Sequence, residues 1–259
     1  MITTLDIVII GVVSVLAGLI NAVAGGGSLI LFPALIAFGI PPVPANITHT
    51  VALTPGYLGG TYGQWRDMRG QEKRLWIFIP AGVIGGLAGG LLLIWTGAAV
   101  FRILVPFLIL FAAGLLAVQD PVRRWIEARA KQGRPAAGEG REAILPIGLA
   151  SVYGGYFGAG VSVIILAVLA LFLDDTITRL NALKQAISFV VSVAAAVFFL
   201  FSGMIVWPLV PVIAAGAIAG GYLGGKLASV INPVTLKWTV VGAGLIIGVY
   251  FLVGLVVPL

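Results

Sequence analysis

Gly18–Thr50, GLINAVAGGGSLILFPALIAFGIPPVPANITHT, is the stretch on which the fold turns. An apolar run enters three consecutive glycines, Gly25, Gly26 and Gly27, and a shorter apolar run leaves them. A proline-rich turn, Pro41-Pro42-Val43-Pro44, then leads to a helix head carrying Asn46, Thr48, His49 and Thr50. Hydrocarbon offers no hydrogen bonds, so broken backbone inside an apolar segment is tolerated only where protein or a cavity supplies partners. The stretch reads as half of a binding site inside a membrane.

The rest of the chain agrees with a bilayer setting. Of its 259 residues 60% are hydrophobic and only 9% charged, where soluble domains carry about 25%. The mean hydropathy is +1.15. The net charge of +6 does not point to nucleic acid, because the basic residues sit in loops between apolar spans, as the positive-inside effect requires. Cysteine is absent, which removes disulfide and thiolate chemistry. The N-terminus carries Asp6 in place of a basic leader region, so the first apolar run is expected to remain as a membrane helix.

Length decides how the opening stretch lies. Leu5–Ala24 is long enough to span, while Ser28–Phe38 is only half a span. End to end the pair would extend roughly 51 Å, against a hydrocarbon core of about 30 Å. Either it crosses once with surplus length or it folds as a hairpin back to its own side. Spans are then expected at Ala45–Gly63, Leu75–Trp95 and Ala98–Val118, the last two joined at Thr96-Gly97. A basic loop runs from Gln119 to Glu142.

The second half repeats the layout. A short apolar run from Ala143 reaches the break GGYFGAG (154–160), another reaches Leu173, and Asp174-Asp175-Thr176 makes a turn. A helix head with Asn181, Lys184 and Gln185 follows, and spans are expected at Leu183–Phe201, Pro208–Ala228 and Leu236–Val257. The predicted architecture is an all-α polytopic membrane protein of two repeats, 1–118 and 143–259, around a cytoplasmic loop, 119–142. Each repeat has a glycine-broken hairpin and three full spans. Counting Lys and Arg favours inverted halves with both termini outside, since a parallel arrangement would place Arg179, Lys184, Lys226 and Lys237 outside.

The polar residues point to an anion. Asn46, His49 and Thr50, and again Asn181, Lys184 and Gln185, stand at i, i+3 and i+4 and share a helical face. Both trios are expected to line one cavity, with backbone and hydroxyl groups at Gly26, Gly27, Ser28, Gly158 and Gly160. Helix N-termini carry unpaired N–H groups and partial positive charge. Every Asp and Glu falls at a span edge or in a loop, so a cation pump or metal site has no ligand set. Glycine runs also serve plain helix packing, and Asn46 and Asn181 also suit helix caps. A Ser28–His49 nucleophile pair lacks an orienting third group.

These motifs, AGGGSLILFPAL (24–35), ANITHTVALTPGYLGG (45–60), the second break and RLNALKQ (179–185), resemble the sulfite exporter family TauE/SafE. The resemblance implies a bacterial inner-membrane protein that moves small sulfur-containing anions, such as sulfite, sulfoacetate or another sulfonate, usually outward. It implies no cofactor and no enzymatic step. The second break lacks the proline that Pro33 supplies after the first, so a less sharply bent hairpin is expected there. The competing readings are an anion channel and a non-transporting scaffold. The expected partners are the small anion and the lipid bilayer, not nucleic acid, and the glycine-rich faces permit a homodimer.

Overall fold

The computed structural model describes residues 3–23, 26–130, 140–227 and 233–256. Gly25 of the first break and Lys131 and Arg134 of the central loop lie outside them. All regular elements among the described residues are helical. They are α1 (Thr4–Val23), α2 (Ser28–Ala37), α3 (Pro42–Gly63), α4 (Glu72–Ala117), α5 (Gln119–Ala130), α6 (Ile144–Tyr156), α7 (Val161–Phe172), α8 (Ile177–Leu200), α9 (Leu209–Leu227) and α10 (Pro233–Val256), with short 3-10 turns at Trp65–Met68 and Arg141–Ala143. Four stretches are long and apolar enough to cross a membrane: Thr4–Asn21, Glu72–Ala128, Ile177–Leu200 and Val234–Leu255.

The expected turn at Thr96-Gly97 is present as a break within α4. Gly97 has φ 71° and ψ 176°, a conformation that a side chain resists. Nothing lies within 4 Å of where its Cβ would stand, so the backbone angle and not crowding calls for glycine. The first arm of α4 packs on α6 and α8, and the second arm packs on α10. The loop expected from Gln119 is different: its first half is the helix α5, whose Ile126 is buried in the core. Pro33 sits inside α2 and does not mark the turn.

Lipid tails are as apolar as leucine, so helices here are held by close packing of small residues. The contacts Gly11–Val212, Ser14–Gly216 and Val15–Gly220 advance together along α1 and α9, so these helices run parallel. A Cβ at Gly220 would stand 1.9 Å from the Val15 carbonyl oxygen. The first arm of α4 and α6 do the same through Ala81–Gly148, Gly85–Ser151 and Gly89–Val152.

Helices α3 and α8 run antiparallel. Past the end of α3, Gln64 accepts from Asn181 near the start of α8 at 2.9 Å. Near the start of α3, Thr48 Oγ1 accepts from the Val206 amide, beyond the end of α8, at 3.0 Å. The first of these ends also gathers charge. Asp175 accepts from Arg74 Nη1 at 2.7 Å and from Arg179 Nε at 2.8 Å, tying the start of α4 to the turn before α8. Lys237 at the head of α10 pairs with Asp120 beside the α4–α5 junction.

Candidate functional site

A cavity of ≈ 560 Å³ lies on the side of the molecule where α3 ends and α8 begins. Both glycine breaks reach it: Gly26 and Ser28 from the first, Gly158 and Gly160 from the second. Gly160 caps α7 at φ 79°, and a Cβ there would press to 3.1 Å from Leu115. Only glycine therefore lets this chain turn and enter α7 at that depth. Helices α2 and α7 start at the breaks, so the positive ends of both helices lie at the cavity.

The head of α8 supplies the side chains. Asn181, Lys184 and Gln185 all line the cavity, as their shared face requires. Thr176 caps the helix by accepting from the Arg179 amide at 3.4 Å, which fixes where that face begins. Lys184 Nζ donates to Asn181 Oδ1 at 2.6 Å, and Asn181 Nδ2 donates onward to Gln64 Oε1 at 2.9 Å. This relay holds the ammonium group without neutralising it. No carboxylate lines the cavity among the described residues.

The head of α3 goes elsewhere. Asn46, His49 and Thr50 do not line the cavity; Asn46 and His49 are buried at 1% and 4% exposure. Asn46 Nδ2 donates to the Tyr156 carbonyl at 2.9 Å, satisfying an acceptor left open where α6 ends. Thr50 Oγ1 donates back to the Asn46 carbonyl at 2.8 Å. Asn46 Oδ1 and both ring nitrogens of His49 are buried with no partner. Gly27 is likewise a packing position, since a Cβ there would lie 2.2 Å from the Ala17 carbonyl oxygen.

Sequence reasoning missed Arg123, on α5, which lines the cavity together with Gln119 and Gln64. Arg123 makes no ion pair or hydrogen bond among the described residues, and it lines the same cavity as Lys184. Reading 119–142 wholly as loop hid it. The signal was available, because Arg123 and Ile126 are three residues apart on a short amphipathic helix.

Regular structure that is wholly helical among the described residues, with several apolar helices and a polar, cation-bearing cavity among them, has the build of a membrane transporter. The chain belongs to the family whose model is described as sulfite exporter TauE/SafE, which matches residues 10–251. It is 29% identical to a "Probable membrane transporter protein" of Haemophilus influenzae, over 83% of this chain and 82% of that one. It is 23% identical to the "Probable membrane transporter protein YfcA" of Escherichia coli, over 83% and 78%. A Sinorhizobium protein named "Probable membrane transporter protein ORF9" is 24% identical over 84% and 81%. No solved structure matches.

Proposed function

We propose that the protein exports small sulfur-containing anions, such as sulfite, sulfoacetate or another sulfonate, by alternating access around the cavity. One observation carries the reading: Lys184 and Arg123 line the same cavity, and among the described residues no carboxylate there offsets them. A desolvated cation without an acidic partner is costly in a membrane protein unless a ligand completes it. A sulfonate or sulfite oxygen can take the Lys184 ammonium group, the Gln185 amide and the N–H groups at the two helix starts. The volume suits a small anion with a few waters.

The cavity-facing end carries Arg66, Arg69, Arg74, Arg123, Arg124 and Arg179, which supports assigning it to the cytoplasm of a bacterial inner membrane. The antiparallel course of α3 and α8 supports inverted halves. So does the reciprocal packing of α1 on α9 and α6 on the first arm of α4.

Reconstitution tests the function. Purified protein in liposomes preloaded with sulfite or sulfoacetate should show saturable counterflow of the labelled anion. Flux that rises linearly with concentration and shows no counterflow would mean a channel. If sulfite, sulfate and sulfoacetate all fail to raise the melting temperature of the purified protein, the central anion site is wrong.

A further inference from the structure

We propose that the anion has a second station, closed in this structure, built from Asn46, His49, Thr50 and Ser188 and presented to the opposite side of the membrane. The proposal rests on the transporter reading above. A constant spacing in the sequence carries Asn46 onto Asn181, His49 onto Lys184, Thr50 onto Gln185 and Leu53 onto Ser188. The same spacing carries Gly85-Gly86 onto Gly220-Gly221, and Gly89-Gly90 onto Gly224-Gly225. The two halves are therefore matched residue by residue through their third and fourth helices.

The match exposes an asymmetry. The cavity takes Asn181, Lys184 and Gln185 from α8 and Leu53 from α3. The images of these four, Asn46, His49, Thr50 and Ser188, are all absent from it. Three of the four images are almost fully buried, at 1% for Asn46, 4% for His49 and 1% for Ser188. Those three also hold most of the unpartnered buried side-chain atoms among the described residues: Asn46 Oδ1, both nitrogens of His49 and Ser188 Oγ. The other two such atoms belong to Gln119, at the cavity wall, and to Gln71, whose amide nitrogen is already bonded. Buried polar groups are normally paired. Unpaired ones at the images of cavity-lining positions are what a site leaves behind when its cavity has closed.

The closure has a visible cause. Phe32, Phe101, Tyr156 and Phe157 stack edge to face, with Phe32–Phe157 centroids at 5.2 Å and Phe101–Tyr156 at 5.6 Å. Asn46 binds the Tyr156 carbonyl beside them. By the same spacing Phe101 answers Leu236, an aliphatic residue on α10.

Exchanging the roles of the halves would open the aromatic side and close the cavity side. His49 would then offer one N–H and one acceptor, Thr50 and Ser188 would donate hydroxyls, and Asn46 Oδ1 would accept from water or from the O–H of a protonated oxyanion. This station has His49 where the first has Lys184, and so holds an anion less firmly. Unequal affinity at the two faces would speed release on the weaker side, while the direction of net flux follows the anion gradient.

The chain has no cysteine, so single-cysteine variants need no background changes. Leu53→Cys and Gln185→Cys report the open cavity; Thr50→Cys and Ser188→Cys, both near in size to the residues they replace, report the closed station. Each is reacted with a membrane-impermeant methanethiosulfonate in right-side-out and inside-out vesicles. The first pair should react from the cytoplasmic face and the second pair from the opposite face. Bridging Thr48→Cys to Val206→Cys with a short bifunctional thiol reagent should slow reaction of Ser188→Cys from outside by about tenfold or more. If neither Thr50→Cys nor Ser188→Cys reacts from outside while Gln185→Cys still reacts from inside, the second station does not exist. The same holds if both react only from the cytoplasmic face. Counterflow of sulfite or sulfoacetate separates the two claims. Counterflow with no outside reaction sinks the station alone, whereas alternating reaction without counterflow of any tested sulfur anion sinks the substrate reading alone.

Discussion

The heads of α3 and α8 carry the same pattern, an asparagine followed at i+3 and i+4 by polar side chains, yet they occupy opposite environments. On α8 the asparagine links Lys184 to Gln64 at the wall of a cavity. On α3 the asparagine is buried and ties down the end of α6. A repeated motif therefore does not by itself place its residues at a cavity; packing of the surrounding helices decides which half does so.

The largest effect should fall on transport. Lys184→Gln removes a charge-assisted contact worth about 1.5–3 kcal/mol, so anion binding and counterflow should weaken by roughly ten- to a hundredfold. Lys184→Arg should retain part of the activity. His49→Gln should leave binding at the cytoplasmic face largely intact while lowering the rate of exchange. Equal losses of binding in both variants, measured by thermal shift with sulfite, would erase the difference between the two heads.

Stability effects come next and should be matched across the halves. Gly85→Ala and Gly220→Ala each force a Cβ against backbone, 2.6 Å from the Gly148 carbonyl oxygen and 1.9 Å from that of Val15. Overpacking of that kind costs about 1–3 kcal/mol, and both melting temperatures in detergent should fall. Gly221→Ala, with nothing within 4 Å of the new Cβ, should melt like the parent. A large loss in only one of Gly85→Ala and Gly220→Ala would mean the interfaces are not equivalent. For the asparagines the order is reversed relative to transport. Asn46→Ala strands the buried Tyr156 carbonyl, costing about 1–3 kcal/mol. Asn181→Ala, at a half-buried site beside a cavity, should cost less than about 1 kcal/mol.

Much of this was legible in the sequence because it rests on local chemistry. Apolar run lengths, the glycine breaks and the Thr96-Gly97 turn each obey a rule that acts within a few residues. The face shared by Asn181, Lys184 and Gln185 follows from helical spacing alone, and the structure puts all three at the cavity. The fate of Asn46, His49 and Thr50 was not legible. Their spacing is identical, and only the meeting of α3 with the end of α6, 110 positions away in sequence, buries them. Arg123 was missed for a different reason: the spacing of Arg123 and Ile126 allowed an amphipathic helix, but a stretch this polar reads as loop until Ile126 is seen docked in the core.

The smallest effect tests the charged end that both halves share. Partial burial pushes the Asp175 carboxyl up. Hydrogen bonds from Arg179, the Thr176 backbone and Arg74 outweigh it and hold the group below the usual carboxylate range. A carboxyl depressed on folding lends stability that is complete above its unfolded value, near 4, and is lost as pH falls through the folded value. The amount should be under about 1 kcal/mol, because the partners are partly solvated. The parent protein should therefore lose slightly more stability than Asp175→Asn between neutral pH and pH 3, measured as melting temperature in detergent. If the two curves stay parallel, the bridge from α4 to α8 contributes nothing to stability.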